Sequence, residues 1–382
     1  MRSTNIVENR NIQTIQVLRA IASLLVVLLH VTETVRQIFG FQFFGGIFRF
    51  GGAGVDIFFV ISGFIIAYTS VHHIETPGAL PVFLSKRFIR IFPTYWIIIS
   101  GFLMMQLLLP GFYRTLYSFD IKNILGTFLL LPDHTMVNGV SWTLTYELFF
   151  YVLFALVFLI RSKNVLIFLM MGYVLILTLV SIWGSSEGNR GGWSGVVLFP
   201  MNIEFFMGVS IALIYKRIFQ RRSVLLIWAG SVLFFAGAIL DIYKVSLSDS
   251  ALQRVIYFGV PAFFLVWGCV AFEQRRSVNI SKTWILLGDA SYSLYLLHLP
   301  FVAALAKILF RKGVDSSFIV HNCYLLLIAA ICIISIVFFK YIEKPVIKIL
   351  NKNVQNKLSM SRGRWYAEKK VNIDERHAGE KG

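Results

Sequence analysis

Ten apolar runs, each about the length of a bilayer-spanning helix, occupy most of the sequence between residues 13 and 340. They cover 13–34, 53–71, 88–109, 141–160, 164–183, 195–215, 223–242, 252–271, 284–309 and 318–340. One further run, 123–132, is too short to cross and reads as a re-entrant or interfacial piece. Hydrophobic residues make up 57% of the chain and charged residues 14%, with mean hydropathy +0.73, values that exclude a soluble domain of 382 residues. The fold class that follows is all-α, a polytopic integral membrane protein of about ten transmembrane helices.

The connections between runs alternate in lysine and arginine content. The leader 1–12, the connection 72–90 with Lys86, Arg87 and Arg90, the pair Arg161 and Lys163, the cluster Lys216, Arg217, Arg221 and Arg222, and the group Arg275, Arg276 and Lys282 all fall on one side. Both termini are therefore expected in the cytoplasm. Three segments result: a cytoplasmic leader 1–12, a membrane domain 13–346, and a basic polar tail 347–382 expected to be disordered. The first run contains Arg19 and is followed by no small-residue cleavage site, so it reads as a retained helix and not a signal peptide. The formal charge of +17 is concentrated on the cytoplasmic side. Such a distribution favours anionic lipids and anionic cytosolic ligands over nucleic acid. Cys269, Cys323 and Cys332 lie in apolar segments with no paired or metal-ligand spacing, so neither a disulfide nor a metal site is expected.

Against this background the ionisable residues inside the runs stand out, because each is costly in lipid and marks a functional site by default. Arg19 and His30 lie eleven residues apart in VLRAIASLLVVLLHVTE. At about 100° per residue they share one helix face, roughly 16 Å apart, the arginine toward the cytosol and the histidine toward the far side. Arg19 reaching for a headgroup, or His30 lying at an interface, would explain either residue alone. Asp56 sits just inside the second run, after Gly51, Gly52 and Gly54. Arg87 and Arg90 occupy the cytosolic end of the third at helical spacing, suited to phosphate as well as to topology. Glu147 enters the fourth run from the outer side, at a depth expected to match His30, and could orient the imidazole as a general base; Glu33 is a rival partner. Trp142 and Tyr146 at the outer mouth suit stacking on a sugar or an aromatic belt, with Ser141 beside them. Asp289 and Tyr292 share a face by i, i+3 spacing, with His298 further along the same run, and serve a helix contact as well as a ligand site. Glu343 in YIEKP is expected to form a salt bridge with a cytosolic arginine.

The R-x10-H pattern is followed in order by GVDIFFVISGF, KRFIRIFPTYW, SWTLTYELFFY, GDASYSLYLLH and YIEKP. In these motifs the chain resembles the acyltransferase-3 family of membrane acyltransferases, from about residue 12 to 346, and within it the exopolysaccharide-production acetyltransferases of the ExoZ type. The resemblance implies a bacterial inner-membrane enzyme with no bound cofactor that takes an acyl group, usually acetyl, from coenzyme A to a hydroxyl of an exported or surface carbohydrate, free or lipid-linked. It implies that Arg19 and His30 are the family's essential first-helix pair. On this reading His30 and Glu147 are catalytic and Arg19, Arg87 and Arg90 hold the donor. Asp56, Ser141, Trp142, Tyr146, Asp289, Tyr292 and His298 would then support the acceptor, and a polysaccharide-synthesis complex is a candidate partner. A secondary transporter or glycan flippase would also carry intramembrane charges, but it should show two related halves, and no internal two-fold pattern is visible. A membrane scaffold would tolerate loss of Arg19 and His30.

Overall fold

The computed structural model describes residues 12–76, 78–108, 120–132, 136–183, 191–215, 222–243 and 250–354. The expected leader, most of the basic tail and much of the Lys216–Arg222 cluster lie outside these residues. Thirteen α-helices follow in order. They are α1 Gln13–Phe39, α2 Ala53–Ser70, α3 Ala79–Leu108, α4 Ile121–Leu129, α5 Trp142–Ile160, α6 Lys163–Trp183 and α7 Gly192–Val197. After them come α8 Asn202–Ile214, α9 Ser223–Ile242, α10 Ala251–Arg275, α11 Lys282–Asp289, α12 Ser291–Arg311 and α13 Ser317–Val354. Among the described residues nine helices are long and apolar enough to cross a membrane. In lipid every backbone N–H and C=O must be satisfied within the protein, and a helix does this inside one segment.

Two expected spans are broken, the first for a visible reason. The run 195–215 divides into α7 and α8, because Pro200 brings no N–H and disfavours helical geometry at the residue before it. The Asn202 side chain donates to Val196 O at 2.8 Å and so closes that break. The run 284–309 divides at Ala290 into α11 and α12. Gly288, at the end of α11, lies so close to α1 that a Cβ there would stand 2.0 Å from Gln16 O. Asp289 and Tyr292 therefore lie on opposite sides of a break, and the shared helix face expected from their spacing is not formed. The short run expected not to cross is α4, nine residues, held to α3 by Tyr95 Oη to Thr127 O and Trp96 Nε1 to Phe128 O, both 2.9 Å.

The centre of the bundle is the crossing of α2 with α8, made possible by small residues. A Cβ at Gly63 would meet Phe205 O at 1.9 Å, and one at Gly208 would meet Val60 O at 2.0 Å. Phe59 stacks on Phe205 with centroids 4.4 Å apart, and Phe150 of α5 stacks on the same ring at 4.6 Å. The start of α1 is fixed from α10, where Glu273 accepts from the backbone N–H groups of Gln13 at 2.8 Å and Thr14 at 2.7 Å. Those two amides would otherwise be unpaired helix-end donors. Overpacking a close crossing costs about 1–3 kcal/mol. Gly63→Val should thus lower the thermal midpoint of the detergent-solubilised protein by several degrees, whereas Gly172→Ala, with nothing within 4 Å of the new methyl, should leave it unchanged.

Candidate active site

A cavity with an empty volume of about 980 Å³, counting its open mouth, runs beside α2 from Ile66 to Val55. Eleven residues of helix make that roughly 16 Å of depth. The charged residues on its wall are three arginines, Arg19, Arg87 and Arg90, and one carboxylate, Glu147. Among the described residues Arg19 of α1 donates to no carboxylate; its Nη1 donates to Gln16 Oε1 at 3.2 Å. Arg87 of α3 lies between the rings of Phe83 and Tyr151, with 5.5 and 5.7 Å from its guanidinium carbon to the ring centroids. Its Nη2 donates to Thr69 Oγ1 at 2.8 Å, while its Nε, shielded from solvent, has no acceptor among the described residues. Arg90 is held differently. It donates to the fully buried Glu343 at 3.0 Å and lies over the Tyr292 ring at 5.4 Å. The salt bridge expected of Glu343 is therefore formed, and Ser293 of α12 donates to its other oxygen at 2.5 Å.

At the far end of this wall are Phe58 and Tyr295, in edge contact with centroids 6.0 Å apart. Tyr295 Oη donates to Val140 O at 3.1 Å and lies 3.0 Å from Thr143 Oγ1. One turn further along α12 is His298, whose ring centroid is 6.1 Å from that of Tyr295 and 5.0 Å from that of His30. His298 Nε2 and His30 Nδ1 are 3.2 Å apart, and His30 Nδ1 is also 2.8 Å from Val26 O. The histidines thus lie beyond the aromatic end of the cavity, with the arginines at its other end.

The expected contact between His30 and a carboxylate is not the one formed. Helices α5 and α12 run antiparallel, with Thr143 level with Tyr295, so Glu147 lies one turn to one side of that level and His298 about one turn to the other. The two are about 10 Å apart in depth. Glu147 Oε1 instead accepts from Tyr151 at 2.6 Å and Ser62 at 3.1 Å, inside the arginine-lined cavity. Glu33 pairs with the exposed Arg36 at 2.7 Å. Tyr292 lines the cavity and donates to Ile91 O at 3.0 Å. Asp56, Ser141, Trp142 and Tyr146 are not on the cavity wall. Asp56 is fully buried and paired with Arg254 at 2.7 Å; Ser141 donates to Asn138 O at 2.7 Å. Trp142 and Tyr146 pack edge to face at 5.6 Å, and Tyr146 packs on Phe199 at 4.8 Å.

Sequence reasoning passed over Glu204 and Arg254, although both fall inside expected spans. Glu204 is fully buried beside the Asp56 carboxylate, and among the described residues no N–H group donates to either of its oxygens. It also missed Tyr151, for which the signal was present, since Tyr151 stands one helical turn after Glu147.

A family model described as an acyltransferase domain, that of the acyltransferase-3 family, matches residues 12–340. The chain belongs to this acyltransferase family. The acyltransferase is 29% identical over 280 residues to the exopolysaccharide production protein ExoZ of Rhizobium meliloti (strain 1021), covering 68% of this chain and 79% of that protein. It is 25% identical over 310 residues to the acyltransferase MdmB of Streptomyces mycarofaciens, covering 74% of this chain and 76% of the relative. An O-acetyl transferase of Shigella phage Sf6 is 29% identical over 194 residues, covering 47% of this chain and 54% of the phage protein. No solved structure is significantly similar to the chain. The match spans the arginines and the histidine pair alike, so the site belongs to a multi-pass membrane acyltransferase.

The two α3 arginines should respond differently to removal. Arg90→Ala leaves the buried Glu343 carboxylate without its cation, a loss worth about 3–5 kcal/mol, and should reduce both thermal stability and the amount of protein in the membrane. Arg87→Ala strands no carboxylate and should stay near wild type in the same thermal-shift and membrane-level measurements.

Proposed function

We propose that this acyltransferase moves an acetyl group from acetyl-coenzyme A to a hydroxyl of an exopolysaccharide, an O-antigen or another cell-surface glycan, free or lipid-linked. The observation that carries the reading is the order of groups along one passage: arginines at one end, a histidine pair just beyond the other. The relatives named for exopolysaccharide production and O-acetyl transfer support the choice of acceptor. The enzyme would sit in a bacterial inner membrane with both termini in the cytoplasm and the basic connections on the cytosolic face. Residues 13–346 form the catalytic membrane domain in this reading.

Coenzyme A carries phosphates, and guanidinium groups bind phosphate oxygens through paired charge-assisted hydrogen bonds. Arg87 and Arg19, neither engaged by a protein carboxylate through a hydrogen bond, would hold the donor, with Arg90 oriented beside them by Glu343. The acyl arm would then extend past Ser62 and Tyr151 toward Phe58 and Tyr295. His30 would remove the proton of the acceptor hydroxyl as its oxygen attacks the thioester carbonyl. The new C–O bond forms, the C–S bond breaks, and the thiolate leaves to take up a proton. A covalent acyl-histidine would divide the same chemistry into two steps.

His30→Gln tests this directly, because glutamine keeps hydrogen-bonding capacity but cannot act as a base near neutral pH. Purified His30→Gln protein, present in the membrane at normal levels, should release no coenzyme A above background from acetyl-coenzyme A plus glycan. Arg87→Ala should retain turnover at a raised donor KM. Wild-type rates in both variants would remove the histidine and the arginine from the reaction.

A further inference from the structure

The contacts of the histidine pair determine where its hydrogens are. His30 Nδ1 is 2.8 Å from Val26 O and 3.2 Å from His298 Nε2, and His298 Nδ1 is 3.2 Å from Leu294 O. A carbonyl oxygen can only accept, so a ring nitrogen at 2.8 Å from one must carry the hydrogen. His30 Nδ1 is therefore N–H, shared between the carbonyl and the neighbouring ring. His298 Nε2 must then be a bare lone pair, and the single hydrogen of a neutral His298 sits on Nδ1, where Leu294 O accepts it. This assignment satisfies all three contacts.

The same contacts decide where one more proton could go. On His298 Nε2 it would set N–H against N–H at 3.2 Å, inside a side chain that is 0% exposed. On His30 Nε2 it would disturb none of the three contacts. Among the described residues that atom has no hydrogen-bond partner, so it is free to meet a substrate proton.

We infer that His298 is the positioning residue of the reaction: its Nε2 lone pair, sharing the His30 Nδ1 hydrogen with Val26 O, holds the ring in the Nδ1–H tautomer and in the orientation that leaves His30 Nε2 as the base. The inference rests on the proposed role of His30. It gives to a neutral ring the orienting task that a carboxylate performs in other histidine-dependent enzymes, without burying a second charge.

The position of the lone pair makes the test specific. Glutamine at 298 can place its side-chain oxygen near the site of Nε2, asparagine reaches only the site of Nδ1, and leucine has no acceptor. His298→Gln should keep kcat within about tenfold of wild type, while His298→Asn and His298→Leu should lose about 10²-fold or more, with donor and acceptor KM unchanged in all three. Nitrogen-15 NMR of histidine-labelled wild-type protein in lipid gives a readout independent of turnover, with the His30 signal assigned by its loss in His30→Gln. That signal should show the Nδ1–H tautomer, persist in His298→Gln, and become mixed in His298→Leu. Wild-type kcat in His298→Leu, or an Nε2–H tautomer of His30 in the wild type, would overturn the inference. Should the leucine variant fail to reach the membrane, His298→Asn, which also places no acceptor at the Nε2 site, decides it: a mixed His30 tautomer and lowered kcat support the inference, and a pure Nδ1–H signal with wild-type kcat overturns it. An active His30→Gln would instead refute the proposed function while leaving the measured tautomer as it is.

Discussion

The carboxylate of Glu343 ties together the elements that make the site. It is fully buried, and a buried carboxylate is tolerable only when its charge and its lone pairs are met. Arg90 supplies the charge from α3 and Ser293 supplies a hydroxyl from α12. One group on the last helix thereby fixes the helix that carries Arg87 and Arg90 against the helix that carries Tyr295 and His298. A π turn at Phe339–Glu343 brings the carboxylate to that junction, an irregularity of the kind found where a helix is adapted to a site.

With those helices fixed, the passage sorts its chemistry by depth. Cationic groups that would bind an anionic donor lie at one end, and groups that can exchange a proton lie beyond the other. The wall between them is aromatic and hydroxylic, with Phe58, Tyr151 and Tyr295 among its residues. Such a lining suits a slender acyl arm better than a phosphate, because desolvating a phosphate without paired donors is expensive. The buried Asp56–Arg254 pair, with Glu204 nearby in the fold, stands apart from this wall. It joins α2 to α10 and is read as structural.

Much of this was legible in the sequence because lipid imposes strict rules. Apolar run lengths located the spans, and intramembrane Arg19, His30, Arg87, Arg90 and Glu147 were conspicuous by being charged or titratable at all. Four of these, the three arginines and Glu147, do line one cavity. The identity of the partner of His30 was not legible. It depends on the relative depth of α5 and α12, and an error of two turns there exchanges Glu147 for His298. The breaks at Leu198–Met201 and Ala290 were missed because mean hydropathy does not register an interruption, such as that at Pro200, inside an apolar run. Glu204 and Arg254 carried the same signal: Arg254 lay near the end of the run 252–271, where topology alone accounts for charge, whereas Glu204 lay in the middle of 195–215 and should have been singled out.

The central claim is that donor and acceptor meet from opposite ends of one passage. The direct measurement uses proteoliposomes in which the enzyme is oriented one way, with radiolabelled acetyl-coenzyme A, which does not cross the bilayer, added to one side and glycan acceptor enclosed on the other. With the donor on the side bearing the Arg275, Arg276 and Lys282 connection, label should appear on the enclosed glycan while free coenzyme A accumulates outside. Label on the glycan only when donor and acceptor share a side, in sealed vesicles of either orientation, would contradict the account.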